Sequence, residues 1–163
     1  MTLAPTAPPS PTLRRYQRLQ HSRLGRWRFE RAAGRSMPLL PALQARFDEL
    51  RIGLCRASMP AHRRVRTLAG ELDPIAVGAL TQLAAGMLIE ISVPSGLLWS
   101  ARGLTIEHLR ATRSGVSALA RLDKTDWAQT GLVGVPVTVS DAAGTEIARA
   151  VVSFALSMQF DSR

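Results

Sequence analysis

Two polar side chains with distinct chemistry lie within the longest low-charge stretch of the chain, residues 70–92. Asp73, near its start, is a carboxylate that can take up a proton or accept hydrogen bonds. Gln82, in its middle, has no titratable proton, so it can orient a ligand or a water but cannot act as a base near neutral pH. The stretch itself could be a membrane span, a buried helix or the floor of an active site.

The flanking residues favour a buried helix from about residue 73 to residue 92. Asp73 can cap the free amides at the helix start, and Pro74 suits the first helical position. Pro94 ends the pattern. From Ala76 to Val93 there are only 18 residues, and polar residues and glycines dilute them, which is poor for a membrane span. We therefore expect a core helix and no transmembrane segment.

The segments on both sides of this helix predict β-strands, because apolar and polar residues alternate along them. They are residues 43–50, 53–60, 97–111, 115–123, 131–141 and 145–160. Two strands, a long buried helix and four further strands predict an α+β fold in which a curved antiparallel sheet wraps around the helix. Such a sheet has an exposed edge, and we expect that edge to pair with a second copy of the chain.

The positive charge of the chain is concentrated in its first part. The net charge is +9; residues 1–66 contain 14 arginines and three acids, a balance of +11, and the remainder carries −2. A basic arm can bind nucleic acid or an anionic membrane surface, or it can be a solvated helix face. No zinc finger or recognition helix accompanies the charge, so we prefer the solvated face and do not expect a nucleic-acid partner.

Composition also divides the chain into three parts. Residues 1–12 are rich in proline and predict a disordered lead, and residues 13–37 predict a basic helical segment broken around Gly25. Residues 38–160 form the main domain. We expect no signal peptide, because the first 12 residues lack a basic region followed by an apolar core.

Other reactive residues offer little chemistry. Cys55 is the only cysteine, which excludes an intramolecular disulfide and a cysteine-based zinc site and is compatible with a reducing, cytoplasmic location. The three histidines are not spaced as metal ligands, so no metal site is expected. His108 falls within a predicted strand.

Three segments, in their order and spacing, resemble the hot-dog-fold thioesterase superfamily, closest to a branch near the phenylacetyl-CoA-type thioesterases. They are RRVRTLAGELDPIAVGALTQLAAGMLIEISVP (63–94), RGLTIEHLRATRSG (102–115) and VPVTVSDAAGTEIARAVVSFALS (135–157). The resemblance covers residues 38–158. It implies a homodimer, or a pair of dimers, with active sites at the subunit interface. It also implies that an acyl thioester of coenzyme A is the substrate or ligand, with no separate cofactor.

In this superfamily the thioester carbonyl lies near the N-terminus of the central helix, where backbone amides stabilise an oxyanion and a helix carboxylate acts as base or nucleophile. Carried over by position, Arg66 keeps the basic residue that opens the motif and Gly70 keeps the loop glycine. Thr67 stands where asparagine is usual, Asp73 where the second histidine would be, and Gln82 where the helix glutamate would be. The usual base is therefore missing.

Three interpretations follow. In the first, Asp73 is a relocated catalytic carboxylate, although an Asp-Pro at a helix start is most simply an N-cap. In the second, the site binds acyl-CoA and hydrolyses it poorly or not at all, with Gln82 orienting a carbonyl or a water. In the third, the protein is a dimeric scaffold whose basic arm contacts an anionic partner. His108 can line the cleft where the family has tyrosine, or be a partly buried imidazole, which we prefer.

Overall fold

The computed structural model describes residues 9–94, 96–123 and 131–158. Its helices are α1 (Pro11–Leu19), α2 (Arg23–Ser36), α3 (Leu39–Ala42) and α4 (Pro74–Ser92). Its strands are β1 (Arg46–Arg51), β2 (Leu54–Met59), β3 (Leu97–His108), β4 (Val116–Arg121), β5 (Gly131–Asp141) and β6 (Glu146–Met158). All pairs are antiparallel, and the six strands form one sheet in the order β1-β2-β4-β5-β6-β3.

The sheet wraps around α4, as the sequence predicts. The Asp73 carboxylate accepts a hydrogen bond from the Ile75 amide at 2.8 Å, and Pro74 occupies the first helical position. By length and composition α4 could cross a membrane, but 72% of its most apolar 18-residue window is buried within this fold. It is the core helix of the domain, because its apolar residues pack against the inner face of the sheet.

The N-terminal segment differs from prediction in where its helices begin and end. The break lies at residues 20–22, where Ser22 caps α2 by accepting from the Gly25 amide at 2.9 Å. Gly25 lies inside α2 and is buried. A side chain at this position would meet the carbonyl oxygen of Leu19. The first helix begins at Pro11, within the segment assigned to the disordered lead. Residues 1–8 of that lead lie outside the described residues.

The two edges of the sheet differ. The β1 edge is short, charged and partly covered by the N-terminal helices: the Tyr16 hydroxyl donates to the Asp48 carbonyl oxygen at 3.1 Å, and the Phe29 and Phe47 rings pack edge to face. The β3 edge has 12 residues, most of them exposed. Among the described residues nothing covers it.

Candidate functional site

A cavity of about 360 Å³ lies at the start of α4, between the loop that precedes the helix and the end of β3. Thr67 lines it from the loop, Pro74 and Val77 from the helix, and His108 and Arg110 from β3 and the residues after it. The structure therefore brings two of the predicted site residues, Thr67 and His108, to the N-terminus of the core helix.

Two arginines hold the loop in place. The Arg66 guanidinium donates to the carbonyl oxygens of Ala61 at 2.9 Å and Gly70 at 3.0 Å, and Arg113 donates to the Ala69 carbonyl at 3.3 Å. Gly70 has a φ of +79°, in the left-handed region that glycine adopts without strain. Arg66 and Gly70 therefore shape the loop, and neither lines the cavity.

The backbone of Thr67 is hydrogen-bonded within the loop, whereas its side-chain hydroxyl is not. Its amide donates to the Glu71 carbonyl at 2.8 Å, and its own carbonyl accepts from the Gly70 amide at 3.0 Å. The Thr67 hydroxyl is buried and has no hydrogen-bond partner among the described residues. A buried, unsatisfied hydroxyl costs about 1–3 kcal/mol, so a ligand group that bonded to it would recover that free energy.

The first turn of α4 leaves one amide free. Asp73 satisfies two of its donors, because its carboxylate accepts from Ile75 and its carbonyl accepts from the Val77 amide at 3.1 Å. The Ala76 amide has no partner in the described part of the chain. It is therefore the backbone donor available to bind negative charge at the positive end of the helix.

Asp73 is observed in its capping role. One carboxylate oxygen holds the Ile75 amide, and the other has no partner among the described residues. The N-cap that the sequence predicts is therefore present. Asp73 itself does not line the cavity, although Pro74 beside it does.

His108 is not the partly buried imidazole that we preferred from the sequence. It is exposed, it pairs across the sheet with the buried Ala148, and it lines the cavity. Because β3 is the edge strand, no neighbouring strand covers this ring. The interpretation that His108 faces the cleft fits the structure better.

Gln82 is exposed and lies away from the cavity. Nine residues separate it from Asp73, which corresponds to about 13 Å of rise and about half a turn around the helix axis. The two candidate catalytic residues therefore do not meet within one chain. With Ile75 and Ala79, Gln82 lies along the one side of α4 that the sheet leaves open.

Sequence reasoning missed several contributions to the site. Nothing in the sequence distinguishes Arg110 from the other arginines, yet it lines the cavity. The free amide of Ala76 has no signature in its own side chain, although the Asp-Pro start of the helix determines which amides are used. Within the described ranges, no group of three or more His, Cys, Asp or Glu residues could hold a metal ion.

Comparison with known proteins places the chain in a family. A family model described as a domain of unknown function, DUF4442, matches residues 25–156. The chain belongs to the DUF4442 family. The matched region of this DUF4442 chain runs from α2 through β6 and includes the cavity. No curated protein matches it.

Solved structures resemble the DUF4442 chain over most of its length. A protein described as genomics APC5556 is 28% identical and superimposes with a TM-score of 0.80, covering 91% of this chain and 98% of its own. A mutant of thioesterase PA1618 from Pseudomonas aeruginosa is 23% identical, with a TM-score of 0.70 and coverage of 80% and 92%. A thioesterase family protein from Silicibacter pomeroyi is 18% identical, with a TM-score of 0.69 and coverage of 80% and 96%.

At these identities, the likeness to the two thioesterases is one of fold. The six-stranded antiparallel sheet around a long helix is the hot-dog fold of thioesterase-family structures. The predicted fold class is thus confirmed for this DUF4442 chain.

Proposed function

We propose that the chain binds acyl thioesters of coenzyme A and hydrolyses them with a degenerate catalytic set. The cavity at the start of α4 carries this proposal, because Thr67, whose hydroxyl has no partner among the described residues, and the exposed His108 imidazole line it. The Ala76 amide, free in the described part of the chain, lies between the lining residues Pro74 and Val77 along the helix. When a thioester carbonyl is attacked, negative charge develops on its oxygen, and one preorganised donor there is worth about 2.7–4 kcal/mol. The Ala76 amide and the Thr67 hydroxyl are suited to that role.

The proposed site needs two copies of the chain. Gln82 is exposed on α4 and does not line the cavity of its own protomer. Edge pairing through β3 would bring the open side of a second α4 to this region. In the proposed homodimer, Gln82 of the partner subunit orients the thioester carbonyl or a water at the cavity.

Two side chains are candidates for the base that accepts the proton. The uncapped oxygen of Asp73 is one candidate, and His108 is the other, since imidazole is the most frequent general base in enzymes. Arg110 in the cavity wall, with the exposed Arg63 and Arg64 before the loop, supplies positive charge for the phosphates of coenzyme A.

A cytoplasmic location is part of the proposal, because the single cysteine, Cys55, is a free buried thiol.

The test is release of free thiol from short, medium, long and aryl acyl-CoAs by wild type, Asp73→Asn, His108→Ala and Gln82→Glu. Loss of a general base should lower kcat about 100-fold or more. Asp141→Asn is a matched control, because Asp141 also accepts amide bonds, at 2.9 Å, but in the β5–β6 turn and outside the cavity lining. Gln17→Glu, on the exposed side of α1, controls for the added charge of Gln82→Glu.

The outcomes separate the interpretations. Wild-type turnover that collapses in Asp73→Asn or His108→Ala identifies the base. Turnover that appears only in Gln82→Glu means that the site binds thioesters but has lost its base. Neither turnover nor binding of any acyl-CoA would contradict the proposal.

A second candidate function is a non-catalytic hot-dog protein that contacts an anionic surface through α1 and α2. These helices carry eight arginines and one acid, Glu30. Among the described residues none of the eight lies in an ion pair with a carboxylate. Trp27 is 52% exposed at the centre of the outer face of α2, and the Arg31 guanidinium stacks over its ring at 5.5 Å. Exposed tryptophan among cations is typical of a membrane-surface contact.

Flotation with vesicles of phosphatidylglycerol or phosphatidylcholine tests this second candidate. Binding to the anionic vesicles alone, weakened by salt and by Trp27→Ala with Arg23→Gln and Arg31→Gln, would support it. Retention of a short RNA or DNA duplex instead would assign the face to nucleic acid. Deletion of α1 and α2 is not a clean test, because Leu13, Tyr16 and Phe29 belong to the core.

A further inference from the structure

Among the residues that the structure describes, Glu71 is the only one with a carboxyl group in the wall of the cavity at the start of α4. Asp73 is not part of that wall, and its carboxylate accepts a hydrogen bond from the Ile75 amide. Gln82 is not part of the wall either. The carboxylate of this cavity therefore comes from Glu71, a position to which the resemblance to thioesterases assigns no role.

The backbone around Glu71 is fixed by hydrogen bonds on two sides. Its carbonyl oxygen accepts from the Thr67 amide at 2.8 Å, and the next amide, that of Leu72, donates to the Thr112 carbonyl oxygen at 2.7 Å. The first bond places Glu71 directly beside Thr67, whose buried hydroxyl has no partner among the described residues. The second ties the loop to the residues that follow β3. A group held in this way needs no rearrangement before it acts on a substrate.

The side chain of Glu71 is not committed to another group in the described part of the chain. It is partly buried, and it forms no ion pair there. The Arg66 and Arg113 guanidinium groups, which hold the loop, donate to backbone carbonyl oxygens instead. The other charged or titratable residues in the cavity wall are His108 and Arg110, and those that α4 contributes are uncharged. The carboxylate is therefore available to accept a proton.

We propose that Glu71 is the general base of thioester hydrolysis, an inference that rests on the proposed function. Glu71 takes a proton from a water molecule as the water oxygen forms a bond to the thioester carbonyl carbon. The negative charge moves to the carbonyl oxygen, where the Thr67 hydroxyl and the Ala76 amide bind it. When the carbonyl re-forms, the C–S bond breaks and the thiolate of coenzyme A takes the proton back from Glu71. The products are a carboxylic acid and a thiol, and the carboxylate is regenerated.

The test compares Glu71→Gln, Glu71→Asp and Glu49→Gln in thiol release from acyl-CoAs and in binding of a non-hydrolysable acyl-CoA thioether. Glutamine keeps the size of the side chain but cannot accept the proton. In Glu71→Gln, kcat should therefore fall about 100-fold or more, without weaker thioether binding or lower stability in urea. Glu71→Asp should recover part of the rate. Glu49→Gln removes a negative charge from β1, outside the cavity wall, and should change neither rate nor binding.

The pH dependence separates a base from a residue that only shapes the loop. In the wild type, kcat/KM should fall toward acid pH as the carboxylate becomes protonated. This fall should be absent from the residual activity of Glu71→Gln and present in His108→Ala. The reverse pattern would assign the base to His108 and overturn the inference alone.

Three further results would also overturn the inference alone. They are an unchanged kcat in Glu71→Gln, a loss of thioether binding in that variant as large as its loss of rate, and a wild type that binds the thioether but releases no thiol. In each case the site still binds acyl-CoA. Failure of the wild type both to bind the thioether and to release thiol would overturn the proposed function as well.

Discussion

At the scale of single residues, Asp73 stabilises the helix start while keeping one carboxylate oxygen available. The two roles are separable by substitution, because asparagine is as good an N-cap as aspartate but cannot take up a proton. Any catalytic loss in Asp73→Asn is therefore independent of helix stability.

The corresponding prediction concerns stability. Asp73→Ala removes the bond to the Ile75 amide, so it should lower the free energy of unfolding by about 1 kcal/mol, and Asp73→Asn should change it by only a few tenths. Urea denaturation followed by circular dichroism measures both. Equal losses in the two variants would show that the negative charge, and not the cap, stabilises the helix start.

A second prediction at this scale concerns Cys55. Burial raises the pKa of the Cys55 thiol well above its ordinary value, so the folded protein keeps it protonated and unreactive. Iodoacetamide at pH 8 should modify Cys55 only as fast as the protein unfolds. Because the unfolded state loses this proton first as pH rises, the stability contributed by the neutral thiol is present below about pH 8.5 and falls above it. Cys55→Ala should lack that decline.

The residue scale also shows what could be read from the sequence. Asp73 and Pro74 were assigned correctly because capping depends on neighbours in the chain. The exposure of His108 could not be predicted, because it depends on β3 being an edge strand, a property of the whole sheet.

At the scale of elements, two glycines inside helices have opposite surroundings. Gly25 of α2 faces the carbonyl oxygen of Leu19 and the Ser22 hydroxyl, so α1 and α2 can meet closely only without a side chain there. Gly86 of α4 faces open space. From the sequence we took Gly25 as a helix break, since local propensity alone does not distinguish a break from a close approach.

We therefore predict opposite effects of the same substitution. Gly25→Ala should lower the free energy of unfolding by about 1–3 kcal/mol, because the new methyl group overlaps fixed backbone atoms. Gly86→Ala should raise it by up to about 1 kcal/mol, because alanine is the better helix former and meets no atom. Thermal and urea unfolding of the two variants provide the measurement. Stabilisation by Gly25→Ala would contradict the close contact between α1 and α2.

At the scale of the whole molecule, the unequal sheet edges favour assembly through one side. The β3 edge is long and open, and beside it Ile75 on α4 is 82% exposed and Leu104 on β3 is 37% exposed. Apolar groups next to a free strand edge are typical of an interface. The alternation in residues 97–111 predicted the strand, but only the strand order reveals that it is an edge.

The prediction at this scale concerns assembly. Leu104→Lys places a charge against the free edge, so sedimentation velocity should show a shift from dimer to monomer, and thiol release should fall with it. Ile52→Lys, at an exposed apolar position in the β1–β2 turn, is the matched control and should change neither. A monomeric wild type, or a Leu104→Lys variant that stays dimeric, would exclude this interface.

The cover over the β1 edge also limits growth. A sheet with two free edges can add copies without end, as fibrils do, whereas a sheet with one free edge is saturated by a single partner. The Tyr16 hydroxyl and the Phe29 ring hold α1 and α2 against β1, so the N-terminal helices act as a terminator of polymerisation. Gly25→Ala should loosen these helices. The sheet would then have two free strand edges, and the proposed dimer would give way to an open-ended aggregate.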